Sequence, residues 1–227
     1  MMRFVTSVLV AMLAVVGWGI VVLGSSSANA FWFSRVVGTG AVVRSERVLG
    51  AFRAISVHGS TDVHVTIGNP QSVVLEAQPN IADLIETKVE DGTLVVTSQH
   101  SYTSTKSPIL FVTIPQLDSV RTSGSSDITL VGMRGPNLDI AIHGSGDVRA
   151  SGNVERLTYS CSGSGDAFLQ GLAVRDAVVR VRGSGDAKLN VAATLDVEVS
   201  GSGDIRYTGS PRIIHQSVRG SGSVAAD

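Results

Sequence analysis

Charge is scarce in this sequence. Only 16% of its 227 residues are Asp, Glu, Lys or Arg, against about 25% in an average globular protein. The 18 basic and 19 acidic side chains nearly cancel, leaving a formal net charge of −1. No basic excess exists to displace counterions from a phosphate backbone, which argues against nucleic acid as a partner. Cysteine occurs once, at Cys161, which excludes a disulfide framework and a multi-cysteine zinc site. Aromatic residues make up 5% of the chain. Helix signals are nearly missing as well: only residues 80–85 read as a helical turn, with Asn80 as its cap. What is abundant is apolar surface and glycine. Hydrophobic residues reach 43%, enough for a core, and there are 25 glycines.

The first thirty residues have the parts of an export signal. Arg3 precedes an apolar stretch at 4–23, and a Gly/Ser stretch leads to the small-x-small triplet Ala28-Asn29-Ala30. Residues 1–30 are therefore expected to be a signal peptide cleaved after Ala30. The alternative is an uncleaved anchor, since about twenty apolar residues span a bilayer; residues 4–23 would then be the membrane contact. No cysteine follows the apolar run, so a lipoprotein anchor is excluded. Residues 31–44 read as a lead-in or cap, with Phe31-Trp32-Phe33 either covering an open core end or touching a membrane or partner, and 45–227 as one domain. The expected location is outside the cytoplasm, in the periplasm or on the cell surface.

Internal repetition decides the fold. Gly124-Ser125-Ser126-Asp127 recurs as Gly144-Ser145-Gly146-Asp147, Gly163-Ser164-Gly165-Asp166, Gly183-Ser184-Gly185-Asp186, Gly201-Ser202-Gly203-Asp204 and Gly220-Ser221-Gly222-Ser223, at steps of 20, 19, 20, 18 and 19. An earlier copy, Gly59-Ser60-Thr61-Asp62, stands 65 residues before Gly124. The flanks alternate with period two, as strands with one buried face do. Val57, Thr122, Ile142, Cys161, Val181, Val199 and Val218 lie two residues before each leading glycine, and Ile55, Val120, Ile140, Tyr159, Val179, Val197 and Gln216 lie four before. Val63, Ile128, Val148, Ala167, Ala187, Ile205 and Val224 follow the fourth position.

A unit of 18–20 residues cannot bury its apolar side alone, but stacked copies share one interior. The fold class is all-β: a β-solenoid whose coils pair in parallel and turn at Gly-Ser-Gly-Asp corners. The first half is less regular. Its 65-residue interval is expected to hold about three coils, with a hairpin at Asp91-Gly92 and an exposed loop at 100–107.

The export signal, Phe52-Arg53-Ala54-Ile55-Ser56-Val57, the Gly59 motif, Asp91-Gly92-Thr93-Leu94 and the Gly-Ser-Gly-Asp series together resemble the bacterial envelope domain called the putative auto-transporter adhesin, head GIN domain. The resemblance spans roughly residues 45–224. It implies a right-handed parallel β-helix in the cell envelope with no established biochemical activity. A solenoid filling the exported part leaves no stretch for a C-terminal membrane barrel, so fold and compartment carry over and self-secretion does not.

The aspartates Asp127, Asp147, Asp166, Asp186 and Asp204 would stack in one column. At roughly 5 Å each pair repels by about 1 kcal/mol in water and about 3 kcal/mol at an effective dielectric of 20. Either turn amides and serine hydroxyls satisfy the carboxylates, which is the preferred reading, or a row of Ca²⁺ ions does, each needing six to eight oxygens. His58 and His143 invite a hydrolase reading with the nearby serines. Both occupy an outward position filled elsewhere by Ser123, Ser162, Arg182, Ser200 and Arg219, as on a solvated face. No nucleophile elbow, zinc helix or phosphate loop is present. Cys161 shares the register of Val181 and Val199 and reads as a small core residue.

The expectation is a non-enzymatic exported envelope protein with a structural, adhesion or interaction role. It has no catalytic, metal or cofactor residues and requires no cofactor. Its partner would be a polysaccharide or a protein, and coils stacking end to end between copies is a further possibility. A carbohydrate-active β-helix enzyme is the alternative.

Overall fold

The computed structural model describes residues 35–227. The expected leader at 1–30 and the Phe31-Trp32-Phe33 cap lie outside the described residues. Alternating sequence becomes strand almost throughout. The elements run β1 (Val36–Val37), β2 (Val43–Glu46), β3 (Ala54–Gly59), β4 (Asp62–Ile67), β5 (Ser72–Ala77), α1 (Pro79–Ala82), β6 (Ile85–Glu90) and β7 (Thr93–Ser98). They continue through β8 (Tyr102–Thr103), β9 (Ile109–Ile114), β10 (Ser119–Gly124), β11 (Ile128–Gly144), β12 (Val148–Gly163), β13 (Ala167–Gly183) and β14 (Ala187–Gly201). The last three are β15 (Ile205–Thr208), β16 (Arg212–Gly220) and β17 (Val224–Ala226).

Parallel pairing makes these strands a β-solenoid of about 5 turns. Before the glycine corner, β7, β3, β10, β11, β12, β13, β14 and β16 lie side by side. Gly59, Gly124, Gly144, Gly163, Gly183, Gly201 and Gly220 stand in register at its end. After the corner a second row runs β9, β4, β11, β12, β13, β14, β15 and β17. The long strands pass from one face to the next through register slips, such as the one between Leu130 and Met133, where an extra residue bends the strand.

The predicted columns are the core except on the last rung, where Gln216 and Val218 are exposed. Val57, Ile142, Cys161, Val181 and Val199 are buried, as are Ile55, Ile140, Tyr159, Val179 and Val197. Each fully buried aliphatic side chain contributes about 1.5–3 kcal/mol, and each stands in register with its counterpart one rung away.

The irregular half departs from expectation. Gly59 and Gly124 are direct neighbours in the stack, so the 65 residues between them do not hold three successive coils. They supply one rung, β7 with β9, placed on the far side of β3 and β4. Strands β6 and β5 then pair antiparallel with β7 and β9, and β2 pairs antiparallel with β5. Alternation marks which residues point inward but is the same for parallel and antiparallel neighbours, so the pattern carried no information on this order.

The Asp91-Gly92 hairpin is present between β6 and β7, with both residues at positive φ. The helical turn begins at Pro79, one residue before the expected start, and Asn80 does not cap it. Its side chain instead accepts from Thr39 N and donates to Val37 O, fastening the lead-in. Within the expected loop, Tyr102 and Thr103 pair with Val36 and Val37.

The two ends differ. Antiparallel strands cover the first rung, whereas β16 and β17 have no outer strand neighbour among the described residues. On β16, Ile214 is 54% exposed, and Gln216 replaces the apolar column residue Val197.

Candidate functional site

The repeated corner is built first from backbone sterics. Gly144 has φ +138°, and a Cβ there would overlap the carbonyl oxygen of Gly124. Gly146 has an ordinary backbone, but its Cβ would overlap the carbonyl of Ser126. Glycine is needed at the first position for conformation and clearance, and at the third for clearance alone.

Three hydrogen bonds then stitch each corner to the next. Ser145 N donates to Gly124 O at 3.0 Å, Ile128 N donates to Asp147 O at 2.8 Å, and Asp147 N donates to the Asp127 carboxylate at 2.9 Å. The carboxylate bond repeats without interruption: Asp127 N to Asp62, Asp166 N to Asp147, Asp186 N to Asp166, Asp204 N to Asp186, and Ser223 N to Asp204. One oxygen of each carboxylate is thus committed to the neighbouring rung. Charge-assisted bonds of this kind contribute about 1.5–3 kcal/mol, the same size as the repulsion between adjacent aspartates at intermediate dielectric. Among the described residues, no three His, Cys, Asp or Glu side chains converge as metal ligands. At the start of the row, burial raises the Asp62 carboxyl above its ordinary 3.8; the Asp127 N–H opposes this and the Asp127 charge adds to it.

On the face before the corner, stacking brings together residues far apart in sequence. His58 Nδ1 lies 2.7 Å from Ser123 Oγ, and His58 Nε2 lies 3.2 Å from Ser56 Oγ. His143 lies in the same outward row one rung beyond Ser123, two rungs from His58. The group behind His58 is a hydroxyl and not a carboxylate, so nothing here stabilises an imidazolium as the acid of a nucleophilic triad does. Cys161 is buried, donates to Gly165 O at 3.4 Å, and has its thiol pushed up by burial.

The face after the corner carries a strip that sequence reasoning did not single out. Registered outward residues run Phe111, His64, Thr129, Arg149, Phe168, Lys188 and Arg206, one per rung. Phe111 and His64 meet edge to face, with ring centroids 5.7 Å apart. The Arg149 guanidinium lies 4.6 Å above the Phe168 ring and within 3.5 Å of the second oxygen of Asp147. Two hollows open on this strip. One, of about 330 Å³, is lined by Asp62, His64, Phe111, Asp127, Thr129 and Arg149. The other, of about 230 Å³, lies among Asp186, Lys188, Asp204 and Arg206. Most of the strip was readable as the residue following each third-column core position. Phe111 was not, because its rung is out of sequence order.

Comparison with known proteins agrees with this architecture. Residues 51–211 match the family described as "Putative auto-transporter adhesin, head GIN domain". A crystal structure of a putative adhesin from Bacteroides fragilis superposes with a TM-score of 0.70 at 22% identity, covering 85% of this chain and 100% of that one. A putative adhesin from Parabacteroides distasonis gives 0.55 at 20% identity, covering 85% and 100%. A putative lipid binding protein from the same organism gives 0.51 at 22%, covering 85% and 99%. No curated protein matches the chain.

Proposed function

The chain belongs to the auto-transporter adhesin head GIN domain family, and from that premise we propose that it is an exported, non-enzymatic adhesion protein of the cell envelope. The observation that carries this reading is the commitment of the repeated motif to architecture. Its glycines clear the carbonyl of the preceding rung, and its aspartates each hold a neighbouring N–H. What is left to meet a partner is the outward face of each row, a rigid and regular array of side chains.

An array of this kind suits an extended polymer. The leader at 1–30 supports export, with release into the periplasm or display at the surface following cleavage after Ala30. N-terminal sequencing of the native protein tests this: Phe31 as first residue agrees with release, and an intact Met1 replaces it with an anchored form.

Adhesion is tested by saturable binding of the purified protein to intact cells and to polysaccharide-coated surfaces, with reducing ends assayed in parallel. Binding without new reducing ends is expected. Their accumulation would transfer the protein to the carbohydrate-active enzymes.

A further inference from the structure

We infer that the strip running from Phe111 to Arg206 binds a neutral, linear, hydroxyl-rich polysaccharide laid along the solenoid axis. The inference rests on the adhesion reading and specifies its site and ligand. Strand spacing sets the strip side chains about 4.8 Å apart, close to the length one sugar unit adds to an extended β-linked glycan. The backbone beneath them is pinned at every corner by the Ser, Asp and following N–H bonds, so the array is ordered before any ligand arrives. Preorganisation of this kind reduces the entropy cost of binding.

The chemistry of the strip suits a polyol. Phe111 presents a flat, weakly polar plate, and the Arg149 guanidinium lying over the Phe168 ring presents a flat cationic one with N–H donors at its edge, and the C–H faces of pyranose rings pack against such planes. Between and beside the plates, both hollows pair N–H donors with carboxylates: Arg149 with Asp62 and Asp127 in one, Lys188 and Arg206 with Asp186 and Asp204 in the other. A sugar hydroxyl donates and accepts at once, and such mixed pairs satisfy both roles. Each ladder carboxylate keeps a second oxygen beyond the one that holds its neighbour's N–H, and that of Asp147 already meets Arg149.

Charge decides against an acidic polymer. Six aspartates, from Asp62 to Asp204, flank the strip, while Arg149, Lys188 and Arg206 are its fixed cations. A polyanion would meet net repulsion. The corresponding row on the other face, which includes His58, Ser123, His143, Arg182 and Arg219, contains imidazoles but no phenyl, phenol or indole ring.

Affinity electrophoresis of the protein produced from its full-length gene tests the assignment, in gels containing hydroxyethyl cellulose, xylan or galactomannan, with alginate as the acidic comparison. Retardation by at least one neutral polymer is expected, and at least tenfold weaker retardation for Phe111→Ala and Phe168→Ala. Arg121→Ala, on the face before the corner, should behave as wild type. Circular dichroism melts establish that the variants are folded, and the exposed substitutions Lys188→Gln and Arg206→Gln give a second pair. Calorimetry with cello-, xylo- and manno-oligosaccharides needs no variant: hexasaccharides of the bound polymer should bind at least tenfold tighter than disaccharides.

Retardation by alginate alone, or unchanged retardation of a folded Phe111→Ala/Phe168→Ala double variant, overturns the inference. Cell adhesion with no neutral polymer retarding the protein sinks the strip assignment and leaves the adhesion reading standing. Loss of both removes both.

Discussion

At the scale of single residues, two kinds of position carry the fold, and they fail differently. Gly144 combines positive φ with a carbonyl where its Cβ would be, whereas Gly135 has φ +141° and open space around it. Gly135→Ala should therefore cost only the conformational term, about 1–3 kcal/mol. Gly144→Ala must also push adjacent rungs apart and should cost more than about 3 kcal/mol, a size that marks a named structural clash. Urea unfolding midpoints of the two variants check the difference.

Tyr159 is the opposite case, a buried residue improved by loss of an atom. Its ring fills a column whose other buried members are Leu, Val and Ile, and its hydroxyl, beside the weakly polar Cys161 thiol, makes no hydrogen bond of normal geometry. Burial drives its ionisation far above the ordinary tyrosine range. Tyr159→Phe should stabilise by about 1 kcal/mol, raising Tm by about 2–4 °C in a domain of this size. The column position was legible from period-two alternation. The orphaned hydroxyl was not, because it depends on which neighbours lie above and below.

At the scale of elements, the aspartate row converts a string of like charges into backbone stitching. Asp147→Ala leaves the N–H of Asp166 without its acceptor and should cost about 1–3 kcal/mol. Asp147→Asn keeps an acceptor oxygen, removes a repelling charge, and should fall within about 0.5 kcal/mol of wild type. Chemical denaturation of both variants separates acceptor from charge.

Asp62 gives the same row a pH signature. Its folded-state pKa is raised, chiefly by burial, so the folded chain holds this proton more tightly than the unfolded one. Stability falls as pH rises from 3.8 through the raised value and stays lower at neutral pH. Asp62→Asn should be more stable than wild type near neutrality, with the difference closing below pH 3.8. Melting curves at the two ends of that range test the sign. The repeat spacing made the stacking of these aspartates readable, but the atom that answers each carboxylate emerged only from the register. The misplaced rung of β7 and β9 was hidden for a related reason: a long-range pairing choice leaves no local mark.

At the scale of the whole molecule, the chain is a stack in which each rung touches only its neighbours, so its stability is close to a sum of nearest-neighbour terms. The outermost strands at the far end, β16 and β17, have neighbours on one side only among the described residues, and β16 carries exposed Ile214 and Val218. Local opening should begin there. Hydrogen exchange read by mass spectrometry should find the amides of 212–226 exchanging first and those of β12 and β13 last. Uniform protection along the chain would contradict this gradient.

The glycine clearances have a consequence for how such a chain changes over generations. Every corner from Gly144 to Gly201 offers its successor the same vacant notch, the same waiting carbonyl and the same carboxylate. A duplicated twenty-residue unit spliced between two of them would find its seat already cut. Length is therefore the dimension in which this protein is free to vary, while its opening segment, threaded out of order, is not.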